Sequence, residues 1–232
     1  TATMTFTYLD SDINGNENLY AAARINSSAQ FLSPATPASN QFTVSGETLF
    51  GDFTAGETLA PCIAGEKTWD GEGVTNNWSE AANWSCNAVP ATTDRVIFDV
   101  SSSKDATIDV AATVSTLTIA TGYSGTITHG ASNFRTTGNY AQAAGTFNGG
   151  SGRLDFDANF ALTGGMFRAS IGETTFGPSS ANAFTLNFET AATFDPNGGT
   201  SVLKGALNLA GGATSISFHN LDVRANNNIG SG

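Results

Sequence analysis

Four oxygen-bearing side chains near the amino terminus alternate along the chain and could hold a calcium ion. They are Asp10, Asp12, Asn14 and Asn16. The stretch opens like the calcium loop of an EF-hand, but the bidentate Glu that such a loop needs at its twelfth position is Ala21 here. The alternative is an Asx-rich β-turn between two strands. We therefore expect no cofactor beyond calcium at this turn.

A second pair of carboxylates, Asp155 and Asp157, alternates with apolar residues and would share one outward strand face. Such a pair could bind a cation, as in solenoid polysaccharide lyases, which also need a basic residue aligned on a neighbouring coil. Arg135 and Arg153 are 18 positions apart rather than 20, so they need not align. Two solvated carboxylates are the simpler interpretation.

Three tryptophans, Trp69, Trp78 and Trp84, cluster within a short segment. Exposed indole rings could stack on sugars, which would make this segment a carbohydrate site. The alternative is a cap, because the terminal coil of a stacked fold otherwise exposes its apolar face. We favour the cap and keep glycan stacking as an alternative.

Neither histidine indicates a hydrolytic site. His129 and His219 have no Ser, Cys or Asp partner at a recognised spacing, and the chain has no G-x-S-x-G motif. We expect no catalytic residues and no metal centre, and hence a protein that is not an enzyme.

The two cysteines, Cys62 and Cys86, are 24 positions apart. In a chain that is poor in charge and rich in glycine, a disulfide between them is a better interpretation than two free thiols. Two cysteines without nearby histidines cannot complete a structural zinc site.

Composition narrows the class of protein. Only 12% of the 232 residues are charged, 26 are glycine, and the net charge is -11. Most of that surface would repel a phosphate backbone, so we expect no nucleic-acid partner. No apolar run is long enough to span a bilayer, which excludes membrane insertion by a helix. Because no stretch has a sustained helical apolar stripe, we expect very little helix.

The elements that position these residues are predicted by a repeat. Gly125-Thr126-Ile127, Gly145-Thr146-Phe147 and Gly165-Met166-Phe167 recur every 20 residues. Short strands at such a period indicate a coil that stacks on itself, because one coil cannot bury its apolar face alone. The spacing loosens afterwards, which indicates a longer loop around Pro178 or Pro196. Strands are predicted at 96–98, 106–110, 114–119, 153–157, 184–188, 201–203, 215–218 and 218–223.

The first 60 residues read instead as a few alternating strands, at 3–9, 19–25, 41–46 and 49–53. The runs at 5–12, 15–17 and 48–57 resemble the closing half of a β-sandwich module that recurs in large bacterial surface proteins. That resemblance implies a sandwich whose front half is missing.

The junction that follows resembles the segment that opens many β-solenoid repeats in bacterial secreted adhesins and autotransporter-like passengers. The resemblance rests on Trp69-Asp70-Gly71, Asn77-Trp78, Asn83-Trp84, Val89-Pro90 and the strand at 94–99. The stretch 218–223 resembles a recurring strand of the same passengers. The resemblance implies an extracellular, non-catalytic scaffold and carries no active site.

We therefore predict an all-β protein, a right-handed parallel β-solenoid (β-helix) with a small N-terminal antiparallel β-sandwich-like segment. The predicted divisions are a partial sandwich at 1–60, a Trp/Cys junction and cap at 61–92, and a solenoid of about six coils at 93–232.

The leading functional hypothesis is a structural subunit or stalk of a bacterial extracellular surface protein or filament. It would join copies of itself, or adjoining domains of a longer chain, through open β edges. The alternatives are an adhesin that binds glycans and a polysaccharide lyase-like enzyme. The predicted location is extracellular or on the cell surface.

Overall fold

A computed structural model describes residues 2–9, 20–26, 28–31, 40–47, 52–57, 63–180 and 182–224. The chain divides into two compact units, Thr1–Leu59 and Ala60–Gly232. The first unit holds short antiparallel strands, and the second is a β-solenoid. Among the described residues the only helical segments are two 3-10 turns, Ala81–Asn83 and Ser85–Asn87.

The amino-terminal unit contains two small antiparallel sheets. Its strands are β1 (Ala2–Thr7), β2 (Tyr20–Asn26), β3 (Ser28–Phe31), β4 (Gln41–Glu47) and β5 (Asp52–Glu57). β1 pairs with β4, and β2 lies between β3 and β5. The strand predicted at 49–53 lies partly outside the described residues, and β5 continues to Glu57.

Three parallel sheets form the sides of the solenoid, and we call them faces 1, 2 and 3. Face 1 consists of β6 (Glu66–Thr68), β7 (Arg95–Phe98), β10 (Thr116–Ile119), β13 (Tyr140–Gln142), β16 (Phe160–Leu162), β19 (Ala183–Phe188) and β22 (Ala206–Ala210). Face 2 consists of β8 (Ala106–Ile108), β11 (Thr126–His129), β14 (Thr146–Asn148), β17 (Gly165–Arg168) and β20 (Ala192–Asp195). Face 3 consists of β9 (Ala112–Val114), β12 (Phe134–Thr136), β15 (Leu154–Phe156), β18 (Glu173–Phe176), β21 (Thr200–Lys204) and β23 (Asn220–Arg224).

The chain visits the three faces in turn and makes about six coils, which confirms the predicted solenoid. The 20-residue repeat corresponds to one coil, since Phe147 pairs with Phe167 and Tyr140 with Phe160. The repeated glycine marks the corner before face 2. Gly165 has a φ of +70°, and a Cβ atom there would lie 2.4 Å from the carbonyl oxygen of Gly145. Only glycine fits two such corners stacked directly on one another.

Aromatic rings fill the interior along the axis. Phe147 and Phe167 stack with centroids 5.1 Å apart, and Phe167 stacks on Phe194 at 6.0 Å. The buried Tyr140 hydroxyl donates to Gln142 Oε1 at 2.7 Å, so this polar group inside the core has a partner. Stacked identical positions therefore bury one continuous apolar column.

Two predicted strands differ from the structure. Val114, Leu117 and Ile119 are all buried, although in one continuous strand Val114 would point to the opposite side from the other two. The prediction of one strand across 114–119 is wrong because the chain turns a corner between β9 and β10, which resets the alternation. Residues 215–218 were also expected to form a strand and do not.

The change of period lies near Pro178. Phe160 pairs with Leu186, 26 positions later, whereas it pairs with Tyr140 one 20-residue repeat earlier. The additional residues fall between β18 and β19, where Pro178 lies, rather than around Pro196. The first strand of face 1, β6, belongs to the segment predicted as a junction, so that segment already contributes to the solenoid.

Candidate functional site

The amino-terminal end of the solenoid is closed by a tryptophan cap made of Trp69, Trp78 and Trp84. Each indole is at most 1% exposed. Trp84 contacts Trp69 and Trp78 edge to face, with centroids 5.0 and 4.5 Å apart. Trp69 stacks on Phe98, the inward residue of the first coil, at 5.6 Å. The cap thus continues the aromatic column of the core.

The indole N–H groups of Trp69 and Trp84 have hydrogen-bond partners. Trp69 Nε1 donates to the carbonyl oxygen of Lys104 at 3.0 Å, and Trp84 Nε1 donates to that of Trp78 at 2.7 Å. None of the three rings presents a free face to solvent. Sugar stacking on these tryptophans would require them to leave the core, so the geometry favours a cap over a carbohydrate site.

Backbone edges at this end are covered by the same segment. The Trp78 N–H donates to Thr107 O at 2.8 Å, and the Thr107 N–H donates to Asn76 O at 2.7 Å, which extends face 2 beyond β8. β6 extends face 1 beyond β7 in the same way. Two of the three faces therefore begin with an added backbone segment rather than a free first coil.

A loop between the cap residues, residues 72–77, is held by Glu80, Asn83 and Lys104, and we call it the braced loop. Glu80 accepts the backbone N–H groups of residues 74 and 75 at 2.8 and 2.7 Å. Asn83 Oδ1 accepts Gly73 N at 3.0 Å, and its Nδ2 donates to two loop carbonyls at 3.0 Å each. Lys104 Nζ donates to Asn83 Oδ1 at 3.1 Å and to the Gly73 carbonyl.

The pKa values of three charged side chains around the braced loop are shifted from their ordinary values. Burial, followed by the nearby charge of Glu72, raises the pKa of Asp70 from 3.8 to about 6. The hydroxyl and N–H groups of Thr75, together with the N–H of Val74, lower the pKa of Glu80. Burial lowers the pKa of Lys104. Asp70 Oδ1 is buried with no hydrogen-bond partner among the described residues, so its carboxylate is poorly compensated.

The sequence reasoning missed this polar cluster. Glu80, Asn83 and Lys104 are separated by unremarkable spacings, and Lys104 belongs to a different coil from the others. One sequence feature could have indicated Asn83: Asn precedes Trp twice, at 77–78 and 83–84, and an Asn next to a buried ring is held in a fixed position.

Two predicted sites stay untested. The possible calcium ligands Asp10, Asp12, Asn14 and Asn16 lie outside the described residues, as does Cys62. Cys86 has a left-handed backbone, with a φ of 66°, and is not a free thiol. Its pairing with Cys62 remains a prediction. The described residues contain no group of three or more His, Cys, Asp or Glu that could hold a metal ion.

Of the two carboxylates predicted on one outward strand face, Asp155 lies on β15 of face 3 and Asp157 follows the end of that strand, and arginines pair with both. Arg153 reaches Asp155 at 2.7 Å and Glu173 at 3.2 Å. Arg135 forms an ion pair with Asp157. As expected from their spacing of 18, the two arginines do not align with each other, since Arg135 pairs in register with Asp155. Each of them nevertheless reaches acids on the same or the adjacent coil. Each exposed pair contributes about 0–1 kcal/mol, and the acids are occupied by arginine.

The two histidines lie far apart in the fold. His129 is buried, with Nε2 placed 2.6 Å from Ser132 O, and Nδ1 accepts Gly150 N at 3.4 Å. Burial lowers its pKa. His219 lies in the last coil and is exposed. His129 is thus a hydrogen-bonded core residue.

The carboxyl-terminal end of the solenoid differs from the capped end, and we call β22, β23 and residues 211–219 between them the open end. Leu209 continues the inward row that contains Leu186, and Val223 continues the row that contains Leu203. The earlier members of these rows are buried, but Leu209 is 74% exposed and Val223 is 59% exposed. The inward rows therefore end on an uncovered apolar surface.

β22 and β23 are also the last strands of their sheets. Each is paired on one side only within the described part of the chain. An edge of this kind presents unpaired N–H and C=O groups to another strand. The open end thus combines backbone hydrogen-bonding groups with exposed apolar side chains.

The chain matches no protein family, no curated protein and no solved structure in sequence or fold comparisons. The class of this protein is defined by its own fold, which is a β-solenoid. Within the described ranges, none of the helical segments has the length and apolar character to cross a bilayer.

Proposed function

We propose that this chain is a non-catalytic structural module, a stalk or filament subunit of a bacterial extracellular surface protein, that associates end to end through open β edges. The observation that carries the proposal is the contrast between its two ends. One end of the solenoid is closed by the tryptophan cap, and the other leaves apolar rows and strand edges uncovered.

The side chains on the faces of the solenoid favour a structural role over a catalytic one. The acids of face 3 that could have held a catalytic cation are paired with arginines. The aromatic rings that could have stacked on glycans are buried in the cap and core. The extracellular and bacterial parts of the proposal rest on the resemblance of the Trp junction and on the low content of charged residues.

Sedimentation velocity and electron microscopy over a range of protein concentrations test the association. We expect particles larger than the 23.8 kDa chain, joined at the end opposite the tryptophan cap. Isolated monomers at every concentration would contradict end-to-end association.

A glycan array and a polysaccharide cleavage screen test the non-catalytic part. We expect no binding and no cleavage. Glycan binding that survives in a Glu80→Gln variant but is lost on changes to the outward residues of one face would favour the adhesin alternative. Cleavage abolished by Asp155→Asn would favour the lyase-like alternative.

A further inference from the structure

The edge strand β22 reads the same in both directions. Its sequence is Ala206-Leu207-Asn208-Leu209-Ala210, a palindrome centred on Asn208. Such a strand can pair antiparallel with its own copy about a two-fold axis at Asn208. Each residue then lies opposite a residue of the same type. Isologous contacts of this type are the commonest in homo-oligomers.

The backbone of β22 has the right groups on its free side. The Ala206 N–H donates to Asn182 O at 3.2 Å, toward β19. Because successive residues of a strand point their N–H and C=O groups to alternate sides, Asn208 and Ala210 also face β19, and Leu207 and Leu209 face the free edge. The groups available for pairing therefore belong to the two leucines.

We propose that the open end binds a second copy of this chain, with β22 pairing antiparallel with β22 of the other copy about a two-fold axis at Asn208. This inference rests on the proposed function and names its partner and geometry. Leu207 then lies opposite Leu209 of the other copy, and each such pair exchanges both backbone hydrogen bonds. Asn208 lies opposite its own copy as a non-hydrogen-bonded pair.

The side chains fit this arrangement. Leu207 and Leu209 continue inward rows, so the pairing lays two open apolar ends against each other. Asn208 is outward, as is Thr185 beneath it, and two amides meet there without a charge.

A two-fold axis through face 1 exchanges faces 2 and 3, so β23 of one copy faces residues 211–219 of the other. Leu221 and Val223 then approach Ile216 and Phe218, and the exposed leucine and valine become covered.

The capped end gives a reason for tail-to-tail contact. A head-to-tail stack would bring the apolar rows of the open end against the tryptophan cap, whose three indoles are already buried and offer those rows no uncovered ring. An isologous contact closes after two copies. A filament would then need a second contact outside the solenoid ends.

Cysteine cross-linking tests the register. Directly opposed residues of a non-hydrogen-bonded antiparallel pair have Cα atoms roughly 4.5 Å apart, within the range that a disulfide spans. We expect Asn208→Cys to form a disulfide-linked dimer under mild oxidation, seen by non-reducing electrophoresis. The matched control is Thr185→Cys, on the same outward row one coil away from the end, which should stay unlinked. Wild-type protein controls for the native cysteines.

Neighbouring positions sharpen the test. Ala206→Cys and Ala210→Cys should each stay unlinked alone, because each lies opposite the other residue. A mixture of the two variants should form the cross-linked dimer. A slipped register would link one of them to itself and would overturn the axis at Asn208.

A charge on the edge tests the same contact without cross-linking. Leu209→Lys places an ammonium group at a position that is already exposed in the single chain, so folding should survive. Light scattering should give twice 23.8 kDa for wild type and 23.8 kDa for the variant.

The outcomes separate this inference from the proposed function. Wild-type dimers without the Asn208→Cys link, or filaments insensitive to Leu209→Lys, overturn the two-fold pairing but leave end-to-end association standing. Monomers at all concentrations overturn both.

Discussion

Asp70 and Glu80, on either side of the braced loop, should give opposite dependences of stability on pH. The folded state raises the pKa of Asp70 from 3.8 to about 6, so it disfavours the ionised carboxylate. The difference, 6 minus 3.8, is about 2 pKa units, or about 3 kcal/mol at ~1.4 kcal/mol per unit. Because Asp70 is only partly buried, solvent screening reduces the penalty to about 1–2 kcal/mol.

Asp70→Asn should therefore stabilise the solenoid at neutral pH by about 1–2 kcal/mol. The sign follows from linkage: above a pH of about 6 both states of the wild type are ionised and the folded state pays the full penalty. As the pH falls from about 6 to below 3.8, both states become protonated and the advantage of the variant disappears. The asparagine side chain also keeps an oxygen that can accept the neighbouring N–H groups.

Glu80→Gln is the matched control of opposite sign. The pKa of Glu80 is lowered from 4.5 by Thr75, so its carboxylate adds stability that is present above 4.5 and lost as the pH falls through the lower folded value. The glutamine variant should be less stable than wild type at neutral pH, and the gap should narrow in acid.

Urea unfolding followed by tryptophan fluorescence measures both variants, because all three tryptophans lie in the cap beside the braced loop. Each variant is compared with wild type at the same pH. A lower stability of Asp70→Asn at neutral pH, or a difference that stays constant between pH 6 and 3.8, would refute the reasoning that burial of Asp70 is poorly compensated.

Three further changes test the core and its corners. Phe167→Ala should cost about 3–5 kcal/mol in urea unfolding, because it opens a cavity in the aromatic column, and a loss below 1 kcal/mol would contradict the packing. Gly165→Ala should destabilise more than Gly198→Ala: both have positive φ, but only at Gly165 would the Cβ meet a neighbouring carbonyl, and equal losses would show that stacking is not the constraint. His129→Gln should be less stable than wild type at neutral pH, and this difference in stability should shrink as the pH falls below 6.5. The reason is that the lowered pKa of His129 makes the unfolded wild type bind the proton more tightly than the folded one. A stability difference that does not depend on pH would place the imidazole in solvent.

The repeat itself was readable from the sequence. Glycine at 125, 145 and 165 with a following apolar residue predicted one coil every 20 residues, and the pairing of Phe147 with Phe167 confirms it. Local pattern failed where the chain turns. Val114 looked like part of one strand with Leu117, but a corner separates them. Corners are set by how one coil rests on the next, which alternation along the chain does not encode.

The polar contacts could not be predicted for a similar reason. Arg153 reaches Glu173 on the adjacent coil, and Lys104 reaches Asn83 across the junction. Side chains that meet this way are neighbours only after stacking, so sequence spacing alone left the outward acids looking solvated.

Residue types and their period determined by themselves that this chain forms stacked parallel strands, because a strand with one apolar face must bury it against a copy of itself. The tertiary structure alone decided which end is closed. Three indoles lie over the first coil and fill its core, whereas Leu209 and Val223 continue buried rows and are largely exposed. Both sets of residues are apolar, and burial depends on whether another coil lies beyond them rather than on the side chain itself.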